Sequence, residues 1–258
     1  MSRLIKPGDT VYFEDESTDF FLSDKPTRQI DGNYRYVSKN PFGILGSLLL
    51  YRLVFLPIGY FHSKISLSEK IIGKEKLRAV SGGYFIIGNH THKTLDAFSP
   101  SLISFPRRAF VVVDPKNLDI PVLGGLLPGL GAIPLPTSPS GVRGYFSAIE
   151  RRISEGAAVT IYPEAHLWPY YSGIRDFSAE ALTPIIRTGA PAFSTTRVYS
   201  YDGGRLRASI YIDGPFYPDQ SLPRREAKAK LRDELISAMR ARSESSDAEP
   251  VKYIKKEV

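Results

Sequence analysis

Two short apolar runs constrain the fold of this chain more than anything else in it. Gly83-Tyr84-Phe85-Ile86-Ile87 and Gly156-Ala157-Ala158-Val159-Thr160-Ile161-Tyr162 have the length and continuous apolar character of strands buried on both faces. Each runs straight into a polar cluster. The first is followed by Gly88-Asn89-His90-Thr91-His92-Lys93-Thr94-Leu95-Asp96, which holds two of the chain's four histidines. The second is followed by Pro163-Glu164-Ala165-His166, with the proline ending strand pairing. If the two strands lie side by side and parallel, both polar loops open at one carboxyl edge, where ligands of open α/β sheets bind. Thr94 and Asp96 could also act simply as caps for a helix starting near Ala97. Two polar loops at one sheet edge favour a site over a cap.

The rest of the chain reads as α/β, with a mixed, mainly parallel central sheet flanked by helices. Residues 109–114, 192–199 and 208–213 read as further strands, and Val142, Phe146, Ile149 and Ile153 give residues 142–154 helical apolar spacing. Arg224 to Arg242 reads as a basic helix with Leu231, Leu235, Ala238 and Met239 on one face, and residues 243–247 as a loose tail. Residues 121–130 are apolar and turn-rich, suited to an apolar ligand pocket or to ordinary core packing. We divide the chain into an N-terminal segment (1–64), an α/β core (65–221) and a C-terminal basic helix and tail (222–258).

The order of these blocks resembles the glycerolipid acyltransferases, which include the 1-acylglycerol-3-phosphate acyltransferases. Asn89-His90…Asp96 corresponds to the family's Asn-His, four residues, Asp. Tyr162-Pro163-Glu164 corresponds to Phe/Tyr-Pro-Glu-Gly-Thr-Arg, and Gly189-Ala190-Pro191-Ala192-Phe193 to a later Val-Pro-like block on a strand. The similarity spans roughly residues 42–216. Three departures stand out. Five residues separate His90 from Asp96, and three separate His92 from Asp96. Glu164 is followed by Ala165-His166-Leu167, without the usual Gly and Arg. After Gly131-Ala132-Ile133-Pro134-Leu135 the first arginine is Arg143, later than in the family. In the family those arginines help hold the acceptor's phosphate, so the departures leave acyl transfer intact and the acceptor open.

The resemblance implies transfer of an acyl group from acyl-CoA or acyl-carrier protein to the hydroxyl of a lysophospholipid, with no other cofactor. That reaction needs a base for the hydroxyl proton, and a neutral histidine suits it. A carboxylate behind the ring selects the tautomer and stabilises the imidazolium. His90 is assigned as base and Asp96 as its partner. His92 is the rival base, four positions before Asp96 and on the same face if helical. The resemblance places Asn89 and Glu164 near the acceptor and Pro191 along the acyl chain. His166, Lys93, Arg143 and Arg175 are the candidates to replace the missing phosphate-binding arginines. Backbone N–H groups near the start of the helix after Asp96 are expected to meet the oxyanion.

With no cysteine in the chain, a thiol nucleophile is excluded, and no Gly-x-Ser-x-Gly elbow supports a serine hydrolase. A metal-dependent hydrolase built from His90, His92, Asp96 and Glu164 is the enzyme alternative, thin in ligands. A basic membrane- or nucleic-acid-binding protein is the non-enzyme alternative, given a net charge of +7. Its basic residues are scattered and no nucleic-acid motif is present, so nucleic acid is not expected as a partner.

Residues 42–61 are the most apolar part of the chain and approach the roughly 20 residues of a membrane span. Arg52 and Pro57 count against a simple span. The segment is read as a helix lying in the membrane interface, bent at Pro57, with Tyr51, Tyr60 and Phe61 at headgroup level and Arg52 snorkelling; a buried core helix is the alternative. The expected location is the cytoplasmic face of a membrane, since Met1 to Asp9 lacks the apolar core of a signal peptide.

Overall fold

A computed structural model describes residues 4–21, 27–38 and 40–256. The first three residues of the stretch read for a signal peptide thus lie outside the described residues. In chain order the elements are β1 (Thr10–Phe13), α1 (Pro41–Leu50), a π-helical turn (Tyr51–Phe55), α2 (Leu56–Leu67), β2 (Lys70–Ile72), β3 (Tyr84–Gly88), α3 (Leu95–Ser104), β4 (Ala109–Val113), α4 (Leu123–Leu130), β5 (Ala132–Pro134), α5 (Pro139–Ser154), β6 (Ala158–Ile161), α6 (Thr183–Thr188), β7 (Ala192–Asp202), β8 (Arg205–Phe216), α7 (Arg224–Ser243) and β9 (Lys252–Lys255).

Seven strands form one sheet in the order β2-β8-β7-β3-β6-β4-β5. Every neighbouring pair is parallel except the β7–β8 hairpin. That hairpin turns on Gly203-Gly204, both at positive φ, the backbone a tight turn between twisted strands requires. The expected mixed, mainly parallel sheet flanked by helices is the one observed. β3 lies at its centre and is buried throughout. Phe85 and Ile87 point into the core shared with α5, α6 and α7, while Tyr84 and Ile86 point into the core beneath α3. Two-sided burial explains why this strand reads as a continuous apolar run.

Two regions differ from the sequence reading. The stretch 121–130 contains a helix, α4, and residues 243–247 are not loose. Ser246 Oγ donates to the carbonyl of Tyr199 at 3.0 Å, Ala248 and Val251 are buried, and β9 pairs in parallel with β1. This pair packs on Trp168, which is fully buried: its indole stacks on Tyr253 at 4.9 Å and meets the edge of Phe13 at 4.7 Å. Both ends of the chain thereby brace the loop after β6.

α1, the π turn and α2 form one continuous apolar helix from Pro41 to Leu67, long and apolar enough to cross a membrane. Only a narrow stripe faces the protein: Tyr51, Leu56, Gly59, Ser63 and Leu67. The π turn inserts the extra residue that puts Tyr51 and Leu56 on one face, and it ends two residues before Pro57, whose ring lacks an N–H. Gly59 lets the helix approach α3, since a Cβ there would lie 2.8 Å from the ring of Phe98. The remaining face exposes Phe42, Leu45, Leu49, Leu53, Ile58 and Ile65, so the buried-core alternative does not hold. Tyr60 and Phe61 are exposed as expected. Tyr51 is not: its hydroxyl accepts a hydrogen bond from the Ala109 N–H at 3.1 Å. Arg52 turns back to the protein, donating to the carbonyl of Pro106 at 2.5 Å.

Candidate active site

β3 and β6 are in parallel register from Tyr84↔Ala158 to Ile87↔Ile161, so the loops that follow them emerge at one sheet edge. β7 runs parallel to β3 on its other side, with Gly88 opposite Thr195. The loops interlock: Trp168 N–H donates to the His90 carbonyl at 3.1 Å, and Tyr170 N–H to the Thr91 carbonyl at 2.7 Å.

His90 Nδ1 lies 2.7 Å from Asp96 Oδ2. The His90 side chain is 24% exposed and that of Asp96 3%, so the carboxylate is hidden and the ring reaches solvent. Oδ2 also accepts from the N–H groups of Thr91 (3.0 Å) and His92 (2.9 Å). Oδ1 accepts from Arg197 Nη1. Burial opposes ionisation of Asp96. The Arg197 guanidinium, the His90 ring and the His92 N–H outweigh it and hold the carboxyl well below the usual range. An ionised Asp96 accepts the Nδ1 proton of His90 and leaves Nε2 as the basic nitrogen. The His90 ring also stacks on Tyr162, 4.8 Å between centroids, and the Tyr162 hydroxyl donates to the Asp96 carbonyl at 2.7 Å. Gly88 makes room for this stack: a Cβ there would sit 2.9 Å from the Tyr162 ring. The extra residue between His90 and Asp96 is therefore accommodated without separating the pair.

His92 has a different task. It is buried, and its Nδ1 accepts from the N–H groups of Leu95 (3.1 Å) and Thr94 (3.4 Å). The ring caps α3, the service expected of Thr94, whose side chain caps nothing. Burial, then the nearby Arg197 charge, push its pKa down to about 4 despite Asp96, which favours a neutral ring. The N–H groups expected to meet an oxyanion are likewise taken. Thr94 and Leu95 donate to His92, Asp96 to the His92 carbonyl, and Ala97 to the Thr94 carbonyl.

Glu164 is buried and paired with Arg175. Its Oε2 accepts from Arg175 Nη2 at 3.0 Å and from the His90 N–H at 3.2 Å, and its Oε1 from the Arg175 N–H at 3.2 Å. Arg175 is 1% exposed, lies over the Trp168 ring at 4.8 Å and donates to the His166 carbonyl. This arginine braces the loop and is not open to a phosphate, which corrects its assignment as a substrate cation. Asn89 is also structural. Its Nδ2 donates to the Arg197 carbonyl at 3.0 Å and its Oδ1 accepts from the Arg197 N–H at 2.8 Å, continuing the β3–β7 ladder by side chain. Lys93 is exposed, 5.5 Å from the Phe21 ring centre. His166 sits 3.5 Å from Asp19, and Arg143 is exposed on α5. Pro191 precedes β7 at the amino end of β3, where its carbonyl accepts from the Phe85 N–H at 2.9 Å. That is the sheet edge opposite His90, so Pro191 does not line an acyl site beside the dyad.

The proposed metal set is not assembled: Glu164 is paired with Arg175 and His92 Nδ1 with backbone. Among the described residues no group of three or more His, Asp or Glu side chains could hold a metal ion.

Sequence reading missed the group behind Asp96. Arg197 is 3% exposed; its Nε donates to Glu69 Oε1 (2.9 Å) and its Nη2 to Ser99 Oγ (2.9 Å), while Ser99 Oγ donates to Glu69 Oε2 (2.9 Å). The available signal was an arginine inside the strand Ala192–Tyr199, since a buried arginine requires buried carboxylates.

Residues 69–195 match the Acyltransferase family model, a span that contains Asn89, His90, Asp96, Glu164 and Arg175. The fold matches the crystal structure of the 1-acyl-sn-glycerophosphate (LPA) acyltransferase PlsC from Thermotoga maritima, with a TM-score of 0.53 and 16% identity over 77% of this chain and 86% of that one. A comparison with curated proteins gives no match. Residues 69–195 of this chain thus match the Acyltransferase family, on a fold similar to that of PlsC.

Proposed function

We propose that this protein docks on a membrane and transfers a fatty acyl group from a thioester, acyl-CoA or acyl-carrier protein, to the hydroxyl of a lysophospholipid such as 1-acylglycerol-3-phosphate. The observation that carries this reading is the His90–Asp96 pair, 2.7 Å apart, hidden at the carboxylate and open at the ring, inside the span matched to the acyltransferase family. His90 Nε2 takes the acceptor's hydroxyl proton as its oxygen bonds to the thioester carbonyl carbon. Asp96 holds the tautomer and stabilises the imidazolium. The tetrahedral intermediate then collapses, the C–S bond breaks, and the proton passes from His90 to the departing thiolate. No acyl-enzyme is formed.

Lys93, Arg143 and His166 are the candidate side chains left to meet an anionic headgroup, since Arg175 is committed to Glu164. The exposed apolar face of α1 and α2 supports docking at the surface where lysolipids reside.

The test is acyl transfer from labelled acyl-CoA and acyl-carrier protein to a panel of lysolipids. Wild type is expected to esterify at least one acceptor, and His90→Ala to lose roughly 10²–10⁴-fold in kcat. Equal activity in His90→Ala, or no transfer to any acceptor, would sink this reading.

A further inference from the structure

Away from His90, a cavity of about 560 Å³ opens between α2, β2 and the far end of α3. Its apolar wall comes from Leu56, Tyr60 and Phe61 of α2, Ile71 of β2, Leu102 of α3, and Phe105 just beyond. Three cationic side chains, Arg52, Lys64 and Lys74, complete it. None of the three forms an ion pair among the described residues. Arg52 donates to the Pro106 carbonyl (2.5 Å), Lys64 to the Glu69 carbonyl (2.7 Å) and Lys74 to the Leu102 carbonyl (2.8 Å). Glu69 is the one acid in the wall, and both its carboxylate oxygens are engaged, by Arg197 and Ser99. Carbonyl partners satisfy N–H donors without cancelling charge, so three positive charges surround an apolar space.

Two of the charges also lie near one group. The Arg52 guanidinium and the Lys74 ammonium lie 5.7 Å and 5.9 Å from the centre of the same ring, Phe105. Burial, with Arg78 nearby, lowers the pKa of Lys74, as for a cation with no compensating anion. A free anion would gain nothing from the apolar wall, and a neutral apolar molecule nothing from the cations; an anionic amphiphile uses both. Tyr60 and Phe61 at the rim belong to the helix proposed to lie in the membrane, so such a ligand would enter from the bilayer. The cavity is also apart from the dyad: Asp96 is in the first turn of α3 and Phe105 just past its last, about 13 Å along the axis.

We propose that this cavity binds one anionic phospholipid of the bilayer, its headgroup phosphate held by Arg52, Lys64 and Lys74 and an acyl chain against Leu56, Ile71 and Leu102, as a site separate from acyl transfer. The inference rests on the membrane-docking part of the proposed function. Occupancy would hold α2 against α3 and tie the enzyme's seating to anionic lipid.

Calorimetric titration of the full chain with short-chain phosphatidylglycerol, below its micelle concentration, tests it against phosphatidylcholine of the same chains. Wild type should bind one phosphatidylglycerol, at least about tenfold tighter than phosphatidylcholine. The double variant Lys64→Gln/Lys74→Gln, with an unchanged melting temperature, should lose that preference, and Leu102→Trp should block both lipids. A non-transferable thioether analogue of acyl-CoA should not compete. Equal affinities in wild type, a preference that survives the double variant, or displacement by the analogue (which would make this the donor's acyl pocket) would each overturn the proposal. Vesicle flotation separates the two readings: a wild type that binds soluble phosphatidylglycerol but ignores vesicles defeats membrane docking and not this site.

Discussion

Arg197 in β7 donates to Asp96 through the carboxylate oxygen that His90 does not use. The same guanidinium bonds Glu69 and Ser99, so the orienting carboxylate is itself oriented by a buried group reaching from the end of α2 to the sheet. Asn89 fixes the backbone of Arg197 in turn, through two hydrogen bonds. The position beside the histidine in the Asn-His block therefore acts on the dyad through β7 and not by touching substrate.

Replacing Arg197 should disturb folding and catalysis together. Arg197→Met leaves Asp96 and Glu69 buried without their cation, a loss of about 3–5 kcal/mol in unfolding free energy. Arg197→Lys keeps the charge but loses the fork that reaches three partners, and should fall between the two. Denaturant unfolding with kcat on the same samples checks this. A wild-type midpoint in Arg197→Met would show that the cluster does not support the site.

His92 should reveal itself by pH and not by turnover. Its folded pKa is pushed down to about 4 from an ordinary 6.5. As pH falls through 6.5, the unfolded chain takes up a proton that the folded chain refuses, so stability is lost between pH 6.5 and 4, by about 3 kcal/mol. His92→Asn can keep an acceptor for the α3 N–H groups and does not titrate there. Its unfolding free energy should fall less steeply across that window, with kcat within tenfold of wild type. A variant as inactive as His90→Ala would make His92 part of the chemistry.

Much of this was legible in the sequence because the signals were local. An apolar run such as Tyr84–Ile87 requires two-sided burial, and a polar loop at its end marks the edge of the sheet. His90 and Asp96 are six positions apart and could be paired from the text. Glu69, Ser99 and Arg197 come from three distant stretches, and only the packing of α2 on α3 together with the β3–β7 register brings them together. The role of Arg175 was misjudged for the same reason: its carboxylate partner lies across a loop closed by Trp168 and by β1 and β9, strands too short and too half-buried to show a period. Regular α-helical spacing puts Tyr51 at the headgroups, and the π turn, which no local pattern announces, rotates it onto the buried face.

Glu164 should behave as a brace and not as an acceptor ligand. Glu164→Gln leaves the Arg175 guanidinium buried without its counter-charge, which is expected to remove about 3–5 kcal/mol of stability and loosen the loop that holds the His90 N–H. Thermal unfolding should drop clearly, and kcat should fall along with any change in KM. A variant with wild-type stability and a raised KM for acceptor alone would return Glu164 to the binding role implied by the family resemblance.

The exposed apolar helix face should separate binding from folding. Phe42, Leu53 and Ile65 are 85%, 69% and 81% exposed on the outer side of α1, the π turn and α2. α4 packs beside α1, with Gly129 against Ser47; Leu126 within it and Val122 just before it are also exposed. These side chains do little for the fold, so Phe42→Ser/Leu53→Ser/Ile65→Ser should unfold close to wild type. Each would lose about 1 kcal/mol of partial burial in lipid, a fraction of the 1.5–3 kcal/mol for full burial. Together that is roughly a hundredfold fall in vesicle partitioning. Activity toward a micellar acceptor should fall in step, and activity toward a short-chain soluble acceptor should not. Unchanged vesicle binding in the triple variant would mean that another surface docks the enzyme.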